Sequence, residues 1–479
     1  MTTRPRTPVP RLAFALGVVL VSAGFGHAAA PAADFVGVSP RDPRYFALAD
    51  GRPYIPVGLN LIAPPGGDFN RMTEWMTRLS AEGGNFIRVW LSHGFFDIEH
   101  TRSGEYDESR AQRIDALLAH ARTQGIRVKL CLEHWRHLGD GRQAWAAKPL
   151  HRVENGGTAT SIADFFDGEP SRARFLQKIA WYSRRFGARP EIFGWELWNE
   201  VNAVAGGDYL AWTSYVLPHL HRAFPGNLCM QSLGSFDNER ARAVNQRLAT
   251  MAGNDVAQVH RYLDLGASLA VCKGPVDVLA ADAVRELLAA NPGRPVLLAE
   301  SGGVEPKHTG PFKLYAADTA GMILHDVLFA PFFAGAAGPG HIWHWDAYVA
   351  RMNLWHHFGR FAQVVRELDP AAEGFQPRVL SVPPLRIYAL QGRNRTLLWC
   401  RDTRNTWQTE LAERSPPSEV TGLRVALTEL LPSKGTRVTA QPYDPWENRW
   451  GEPAPVVADT VLLPDFKRSL VVVVTALLP

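Results

Sequence analysis

The chain has 479 residues, of which 46% are hydrophobic and 20% are charged, and its formal net charge is only +4. A chain of this length is expected to fold as two units, and its hydrophobic content suffices for a large buried core. Its basic residues are scattered rather than clustered, so the charge pattern favours neither nucleic acid nor an anionic membrane surface as a partner.

The N-terminus has the order of segments that is typical of a secretory signal peptide. Arg4, Arg6 and Arg11 precede an apolar stretch at residues 12–25, and small residues follow at 28–33. The apolar stretch is shorter than the roughly 18 residues that span a bilayer. We therefore expect residues 1–33 to be a signal peptide, the mature chain to lack a membrane span, and the protein to be secreted or periplasmic. The four cysteines lie far apart without metal-ligand spacing, so a disulfide is permitted but not implied.

Between residues 54 and 370, short apolar runs alternate with segments of helical period. This alternation predicts parallel strands joined by helices, and eight such units are typical of a (β/α)8 TIM barrel. The predicted strands are residues 54–60, 86–91, 127–133, 192–200, 228–233, 256–262, 295–301 and 340–346. The predicted helices include residues 71–82, 108–123, 171–186, 277–290, 313–328 and 355–368.

From about residue 383 the pattern changes to short alternating strands without helices between them. Turn signals separate these strands, a texture typical of an antiparallel sheet. The sequence therefore predicts a barrel domain over residues 34–372, followed by a small C-terminal antiparallel β-sandwich over residues 373–479.

Polar and aromatic residues gather at the predicted carboxyl ends of seven strands, which is the face of this fold that carries active sites. Glu200 ends the fourth strand and Glu300 ends the seventh, so both side chains should face one cavity from opposite sides. Two facing carboxyls are the minimum for cleaving a glycosidic bond. Glu196 lies one layer deeper on the strand of Glu200 and is predicted to be a buried, paired structural acid, and Glu133 is predicted to support the site rather than to catalyse.

Several of these strand ends resemble a known family. WELWNE (residues 195–200) resembles the fourth-strand signature of clan A glycoside hydrolases, and LLAES (297–301) resembles their seventh-strand nucleophile segment. The match continues in FIRVW (86–90), EHW (133–135), VHRY (259–262) and HIWHWD (341–346). Over about residues 40–370 the chain resembles glycoside hydrolase family 5, the cellulase and mannanase group. It departs from the family pattern after the nucleophile segment, where SGG (301–303) replaces the commoner Phe-Gly.

The resemblance implies a retaining, double-displacement mechanism with Glu200 as general acid/base and Glu300 as nucleophile. Glu200 then needs a raised pKa, which an apolar wall and the charge of Glu300 would supply. The implied substrate-binding residues are Arg88, His134, Asn199, His260, Tyr262 and Trp345. Among them Arg88 would support the nucleophile, Asn199 would hold the sugar 2-hydroxyl and Trp345 would stack on a sugar ring.

The expected substrate is a β-linked polysaccharide or oligosaccharide of β-mannan or β-glucan type, with no cofactor. No metal is expected either, because His341 and His344 are three residues apart on a predicted strand and so face opposite sides. Two alternatives stay open. One is a transglycosylase or exo-acting enzyme on the same barrel, with residues 136–166 closing part of the cleft. The other is a non-catalytic carbohydrate-binding protein. The sequence carries no signal for an oligomeric state.

Overall fold

The computed structural model of the chain describes residues 34–134, 149–204, 206–431 and 437–477. The predicted signal peptide, residues 1–33, lies outside the described residues, as do residues 135–148 of the predicted insertion. None of the described helices is long and apolar enough to cross a membrane. All four cysteines are buried and none is in a disulfide.

A small antiparallel sheet precedes the parallel strands. It consists of β1 (Val36–Val38), β2 (Phe46–Leu48) and β3 (Pro53–Tyr54). Phe46 lies against Phe193 in an edge-on contact with ring centroids 5.2 Å apart, and Phe86 contacts Phe193 in the same way at 5.1 Å. Phe86 and Phe193 stand at the amino ends of two of the following strands. The small sheet therefore buries apolar side chains at the amino-terminal side of the parallel strands, opposite the predicted site.

The middle of the chain is a mixed α/β structure with parallel strands, which confirms the prediction of parallel strands joined by helices. Five strands pair in chain order and β9 pairs with β11, while β10 pairs with β12. The strands are β4 (Gly58–Asn60), β5 (Phe86–Trp90), β6 (Arg127–Glu133), β7 (Ile192–Trp198), β8 (Leu228–Met230), β9 (Ala257–His260), β10 (Leu263–Asp264), β11 (Val296–Glu300) and β12 (Gly303–Val304).

The strand register brings polar side chains into rows. Asn60 pairs with Arg88, and Arg88 in turn pairs with Lys129. Glu300 pairs with His260. Because residues paired across neighbouring strands point to the same face of a sheet, the register places Asn60, Arg88 and Lys129 on one face.

The helices lie between these strands, and aspartate side chains cap several of them. Asp68 accepts a hydrogen bond from Arg71 N at the first helix, and Asp107 accepts one from Ser109 N at the second. The helices are α1 (Phe69–Ala81), α2 (Glu108–Thr123), α3 (Ile162–Asp167), α4 (Glu169–Phe186), α5 (Tyr209–Ala223), α6 (Ala241–Ala249), α7 (Val276–Leu288), α8 (Met322–Phe333), α9 (His356–Val365) and α10 (Pro370–Glu373).

The helix predicted at residues 313–328 is wrong in its bounds. Residues 313–316 form a single 3-10 turn, and α8 begins only at Met322. Gly321 adopts a left-handed conformation with φ of +77°, and the Asp318 carboxylate accepts hydrogen bonds from the backbone nitrogens of Met322 and Ile323 at 2.8 and 2.9 Å. This capping sets the start of α8 at Met322, which the apolar pattern alone did not predict.

The eighth predicted strand, residues 340–346, also differs in the structure. Ile342 forms only an isolated parallel bridge with Ser301. Directly afterwards, Trp345 N donates a hydrogen bond to Trp343 O at 2.9 Å, which turns the backbone tightly. A π-helical turn then runs over Trp345–Ala350. The turn ends extended pairing before a regular strand can form.

The C-terminal part is an antiparallel β structure whose first strand lies just before residue 383, where the alternating pattern of the sequence begins. Its main sheet has the order β13-β14-β15-β23-β18-β19, with β20 on β18, and two short ladders, β16 with β22 and β17 with β21, lie beside it. Apolar residues of the ladders, such as Val425 and Phe466, pack with Ile387 and Val472 of the main sheet. The strands are β13 (Gln376–Val382), β14 (Leu385–Gln391), β15 (Arg395–Asp402), β16 (Glu419–Val420), β17 (Arg424–Ala426), β18 (Val438–Asp444), β19 (Arg449–Trp450), β20 (Ala454–Pro455), β21 (Thr460–Leu462), β22 (Phe466–Lys467) and β23 (Ser469–Ala476).

Helix α8 joins the two parts of the chain. All twelve of its residues are buried, because the main C-terminal sheet covers the side of the helix that would otherwise meet solvent. Arg401 on β15 makes a buried ion pair with Asp326 on α8, with nitrogen-to-oxygen distances of 2.8 and 3.1 Å. His325 Nε2 lies 2.8 Å from Ser469 Oγ on β23. The C-terminal sheet is thus held to the α/β part by both apolar packing and buried polar contacts.

We predict that Arg401→Met lowers the free energy of unfolding by about 3–5 kcal/mol, because it leaves the Asp326 carboxylate buried without its cation. Urea denaturation measures this loss. Arg71→Met is the matched control, since Arg71 pairs with Asp68 on the surface at 3.7 Å with 59% of its side chain exposed. It should change stability by less than about 0.5 kcal/mol. Equal effects of the two substitutions would contradict a special role of the buried pair.

Candidate active site

The carboxyl ends of the parallel strands surround one large cavity of about 1600 Å³. Six of the eight predicted site residues line it, and the other two, Arg88 and His260, contact the lining carboxylates from behind. The six lining residues are His134, Asn199, Glu200, Tyr262, Glu300 and Trp345. The structure therefore brings together all eight predicted site residues.

Glu300 ends β11 and is held through both of its carboxylate oxygens. Arg88 Nη1 donates a hydrogen bond to Oε1, and Tyr262 Oη donates one to Oε2 at 2.7 Å. Burial and the charge of Glu300 raise the pKa of the Tyr262 hydroxyl, so this group stays a donor. Glu300 itself is almost fully buried, and the two donors fix the orientation of its carboxylate.

Arg88 connects Glu300 to other site residues. Its Nε donates to Glu196 Oε2 at 2.7 Å and its Nη2 donates to Asn199 Oδ1 at 2.6 Å. Because Asn199 Oδ1 is engaged in this way, Asn199 Nδ2 remains to donate to a ligand in the cavity. Glu196 is fully buried, as predicted; burial would raise its pKa, but Arg88 and Lys129 lower it to about 2.

Glu200 lies two residues beyond the end of β7 and adopts an unusual backbone conformation. Its φ of 52° and ψ of 56° lie in the left-handed region, and its backbone nitrogen donates to Ser232 Oγ at 3.1 Å. Left-handed conformations of residues other than glycine are strained and tend to occur at functional sites. The turn aims the Glu200 carboxyl into the cavity, where 24% of the side chain stays exposed.

Glu200 has a different electrostatic environment from Glu300. Burial raises the pKa of Glu200 to about 7, although His308 and Arg88 act in the opposite direction. The sequence predicted this direction. Glu196 and Asp237 are among the anions that raise the pKa of Glu200. At neutral pH a substantial fraction of Glu200 therefore carries a proton.

His260 lies between the two glutamates. Its Nδ1 is 2.9 Å from Glu200 Oε1 and 3.4 Å from Glu300 Oε2. Burial lowers the pKa of His260 to about 4, so the imidazole is neutral at pH 7. One oxygen of each glutamate and a ring nitrogen of His260 all lie within 4.8 Å of one another. The two carboxyls thus face each other across a single gap.

By spacing alone, these three residues could hold a metal ion. The donor set argues against one, because both oxygens of Glu300 already accept hydrogen bonds and the Arg88 guanidinium adds a positive charge beside them. His341 and His344, considered from the sequence, have separate partners: His341 Nε2 lies 3.1 Å from Pro56 O, and His344 Nδ1 lies 3.2 Å from Tyr315 Oη.

An aromatic surface borders the cavity on one side. Trp343 contacts Trp90 at 5.2 Å and Trp345 at 5.5 Å between ring centroids, and the His134 ring stacks on Trp90 at 5.1 Å. His134 Nδ1 lies 2.5 Å from Ser92 Oγ, which fixes the orientation of the ring. Trp90 and Trp343 were not among the predicted site residues, although both belong to the strand-end motifs.

Two further lining residues, Asp237 and His308, come from loops and were also missed. Their loops are not strand ends, so no alternation in the sequence marked them. The Ser301-Gly302-Gly303 segment, by contrast, has a clear structural reason. Gly303 N donates to Tyr315 Oη at 2.6 Å, and a Cβ on Gly302 would lie only 2.6 Å from the same oxygen. Gly302 also has a φ of +131°. Glycine here allows Tyr315 to approach the backbone that follows Glu300.

A comparison with family models finds no match. The chain is 30% identical to mannan endo-1,4-beta-mannosidase 3 of rice (Oryza sativa subsp. japonica) over 215 residues, which are 39% of this chain and 45% of the rice protein. The chain therefore spans about half the length of the rice relatives it matches.

Two solved structures share the fold. An endo-1,4-beta-mannanase from Rhizomucor miehei has a TM-score of 0.50 at 18% identity, over 69% of this chain and 99% of that one. A GH30 endoxylanase from Clostridium papyrosolvens has a TM-score of 0.50 at 12% identity, over 92% and 100% of the two chains. The chain is thus similar in sequence to mannan endo-1,4-beta-mannosidases and in fold to glycoside hydrolases, and its strand-end motifs resemble family 5 of clan A.

Proposed function

We propose that the protein is a retaining β-glycosidase that works by double displacement, with Glu300 as nucleophile and Glu200 as general acid/base. The observation that carries this proposal is the separation of the two carboxyls, one oxygen of each lying within 4.8 Å of the other. Retaining glycosidases have their carboxyl groups about 5–5.5 Å apart, whereas inverting enzymes need about 6.5–9.5 Å to admit a water molecule.

In the first step, the Glu300 carboxylate attacks the anomeric carbon while protonated Glu200 gives its proton to the leaving glycosidic oxygen. The carbon–oxygen bond to the leaving group breaks and an ester bond to Glu300 forms. In the second step, ionised Glu200 takes a proton from water, and the resulting hydroxide attacks the anomeric carbon and releases Glu300. The environments of the two acids suit these roles, since burial favours the proton on Glu200 and two donors hold the Glu300 carboxylate in place.

The other predicted residues support substrate binding. Asn199, oriented by Arg88, would donate to the sugar 2-hydroxyl, a contact that strengthens as the ring flattens in the transition state. His134 and Tyr262 would hydrogen-bond the cleaved sugar. Trp345 would stack on a pyranose face.

We propose a β-mannan-type polysaccharide or its oligosaccharides as substrate. The rice relatives are named mannan endo-1,4-beta-mannosidases. The cavity of about 1600 Å³ exceeds the roughly 300–1,000 Å³ that is usual for a single small ligand, so it has room for several sugar units.

We also propose that the parallel strands close into a (β/α)8 barrel, in which the segment around Ile342 takes the eighth position. The barrel would span residues 34–372, and a β-sandwich would follow at residues 373–479. Backbone contacts across the gaps support closure: Asp255 N donates to Cys229 O at 2.9 Å, and Asn60 N donates to Ile342 O at 3.1 Å. The N-terminal sequence pattern also supports a signal peptide at residues 1–33 and a secreted or periplasmic location.

The rate of hydrolysis should depend on the protonation of Glu200. If Glu200 is the general acid, the rate of hydrolysis falls above about pH 7, tenfold per pH unit, because the proton it donates is then lost. With carbon-13-labelled glutamate, NMR should show one carboxyl that titrates near pH 7 and disappears in Glu200→Gln. If that resonance persists in the variant, or if activity stays flat to pH 9, Glu200 is not the acid.

The second prediction concerns the two glutamates on a panel of β-mannan, β-glucan, xylan and galactan. Glu300→Gln should lose at least about a thousandfold in kcat on mannan, because no covalent intermediate can form. Glu200→Gln should lose about 10²- to 10⁴-fold on polysaccharide but less on aryl glycosides, whose leaving groups need little protonation.

Glu74→Gln, an exposed acid on α1, serves as the control and should keep full activity. Proton NMR of the fresh product should show the β anomer. An α anomer would refute the retaining mechanism, and a wild-type protein as inert as Glu300→Gln on every substrate would refute the glycosidase assignment.

A further inference from the structure

A lysine that takes no part in the proposed mechanism lies beneath the two glutamates. Lys129 on β6 is fully buried, and its Nζ donates to Gln258 Oε1 at 2.6 Å. Its ammonium is also 3.6 Å from Glu196 Oε2. Lys129 pairs in register with Arg88, so the two cations are neighbours on one face of the sheet.

The charges in this layer balance. Arg88 and Lys129 supply two positive charges, and Glu196 and Glu300 supply two negative charges, all in fully or almost fully buried side chains. Without Lys129 the cluster would carry a net negative charge next to Glu200. An uncompensated buried charge is costly, and nearby carboxyls respond by holding their protons more tightly.

Lys129 is itself charged at neutral pH. Burial lowers its pKa to about 8, while Glu196 acts to raise it. The titratable and charged groups that act on Lys129 or feel its charge come from its own strand, from four neighbouring strands and from one further segment. They are Cys131 on β6, Arg88 on β5, Glu196 on β7, His260 on β9, Glu300 on β11, and His341 in the segment that bridges to Ser301.

Stability alone does not account for this cluster. Among the described residues, Glu196 Oε1 and Gln258 Nε2 are buried without a hydrogen-bond partner. Buried ionic clusters of this kind can often be replaced by apolar residues at no cost in stability. Polar groups that remain partly unsatisfied in a core therefore point to a functional reason.

We propose that Lys129 is a positioning residue for catalysis, a buried cation that balances the charges of Glu196 and Glu300 beneath the cavity and so sets the pH at which Glu200 gives up its proton. This inference rests on the proposed function for its kinetic consequences. The effect of Lys129 on the titration of Glu200 can be measured by NMR in the absence of substrate turnover.

The test is the pH dependence of kcat/KM in Lys129→Met. Loss of the cation should move both limbs of the profile to higher pH by about half to one unit, because both carboxyls then protonate more readily. The double variant Lys129→Met/Glu196→Gln removes one charge of each sign, so its limbs should return toward their wild-type positions. Carbon-13 NMR of labelled glutamate should show the same displacement and return for the Glu200 titration.

Lys178→Met is the matched control. Lys178 is also a fully buried lysine, but it pairs with Glu99 and Glu133, away from this layer. It should alter stability without moving the limbs. If Lys129→Met lowers kcat while both limbs and the Glu200 titration stay in place, or if Lys178→Met moves them equally, the inference is overturned. If the wild type hydrolyses nothing, the proposed function fails, and the Glu200 titration alone still decides the role of Lys129.

Discussion

The buried guanidinium of Arg88 is the interaction on which the arrangement of the site depends. It donates to Glu196 inside β7 and to Asn60, Asn199 and Glu300, which lie at or just beyond the ends of β4, β7 and β11. A planar group with five donors in a fixed geometry holds these partners in defined positions, which a flexible lysine ammonium does not. Because Arg88 orients both the carboxylate of Glu300 and the amide of Asn199, one side chain fixes the positions of the proposed nucleophile and of the proposed contact to the sugar 2-hydroxyl.

The site gives two chemically identical side chains, Glu200 and Glu300, different surroundings. Glu300 has two close donors, whereas Glu200 has a left-handed backbone, is partly exposed to the cavity and lies beside a neutral imidazole. His260 touches both carboxyls but adds no charge at neutral pH. This difference is what a double displacement needs, since one acid must be charged while the other holds a proton.

Much of the site could be predicted from the sequence, because the end of an apolar run shows where a strand ends. Glu200, His260 and Glu300 stand where an apolar run stops, and parallel strands bring such positions together regardless of their separation in the chain. Loop residues such as Asp237 and His308 carried no comparable signal. Nor did Lys129, since a lysine inside an apolar run does not reveal whether it points inward or outward until the register is known. The start of α8 depended on capping by Asp318, and the burial of that helix depended on a sheet whose strands lie far later in the chain.

The most direct test of this account is covalent trapping. A 2-deoxy-2-fluoro-β-mannoside with a good leaving group slows both steps but slows release more, so the glycosyl-enzyme ester accumulates. Mass spectrometry of the digested protein should then find the fluorosugar on the peptide that contains Glu300. A label on the Glu200 peptide, or turnover of substrate without any label, would contradict the assignment of Glu300 as nucleophile.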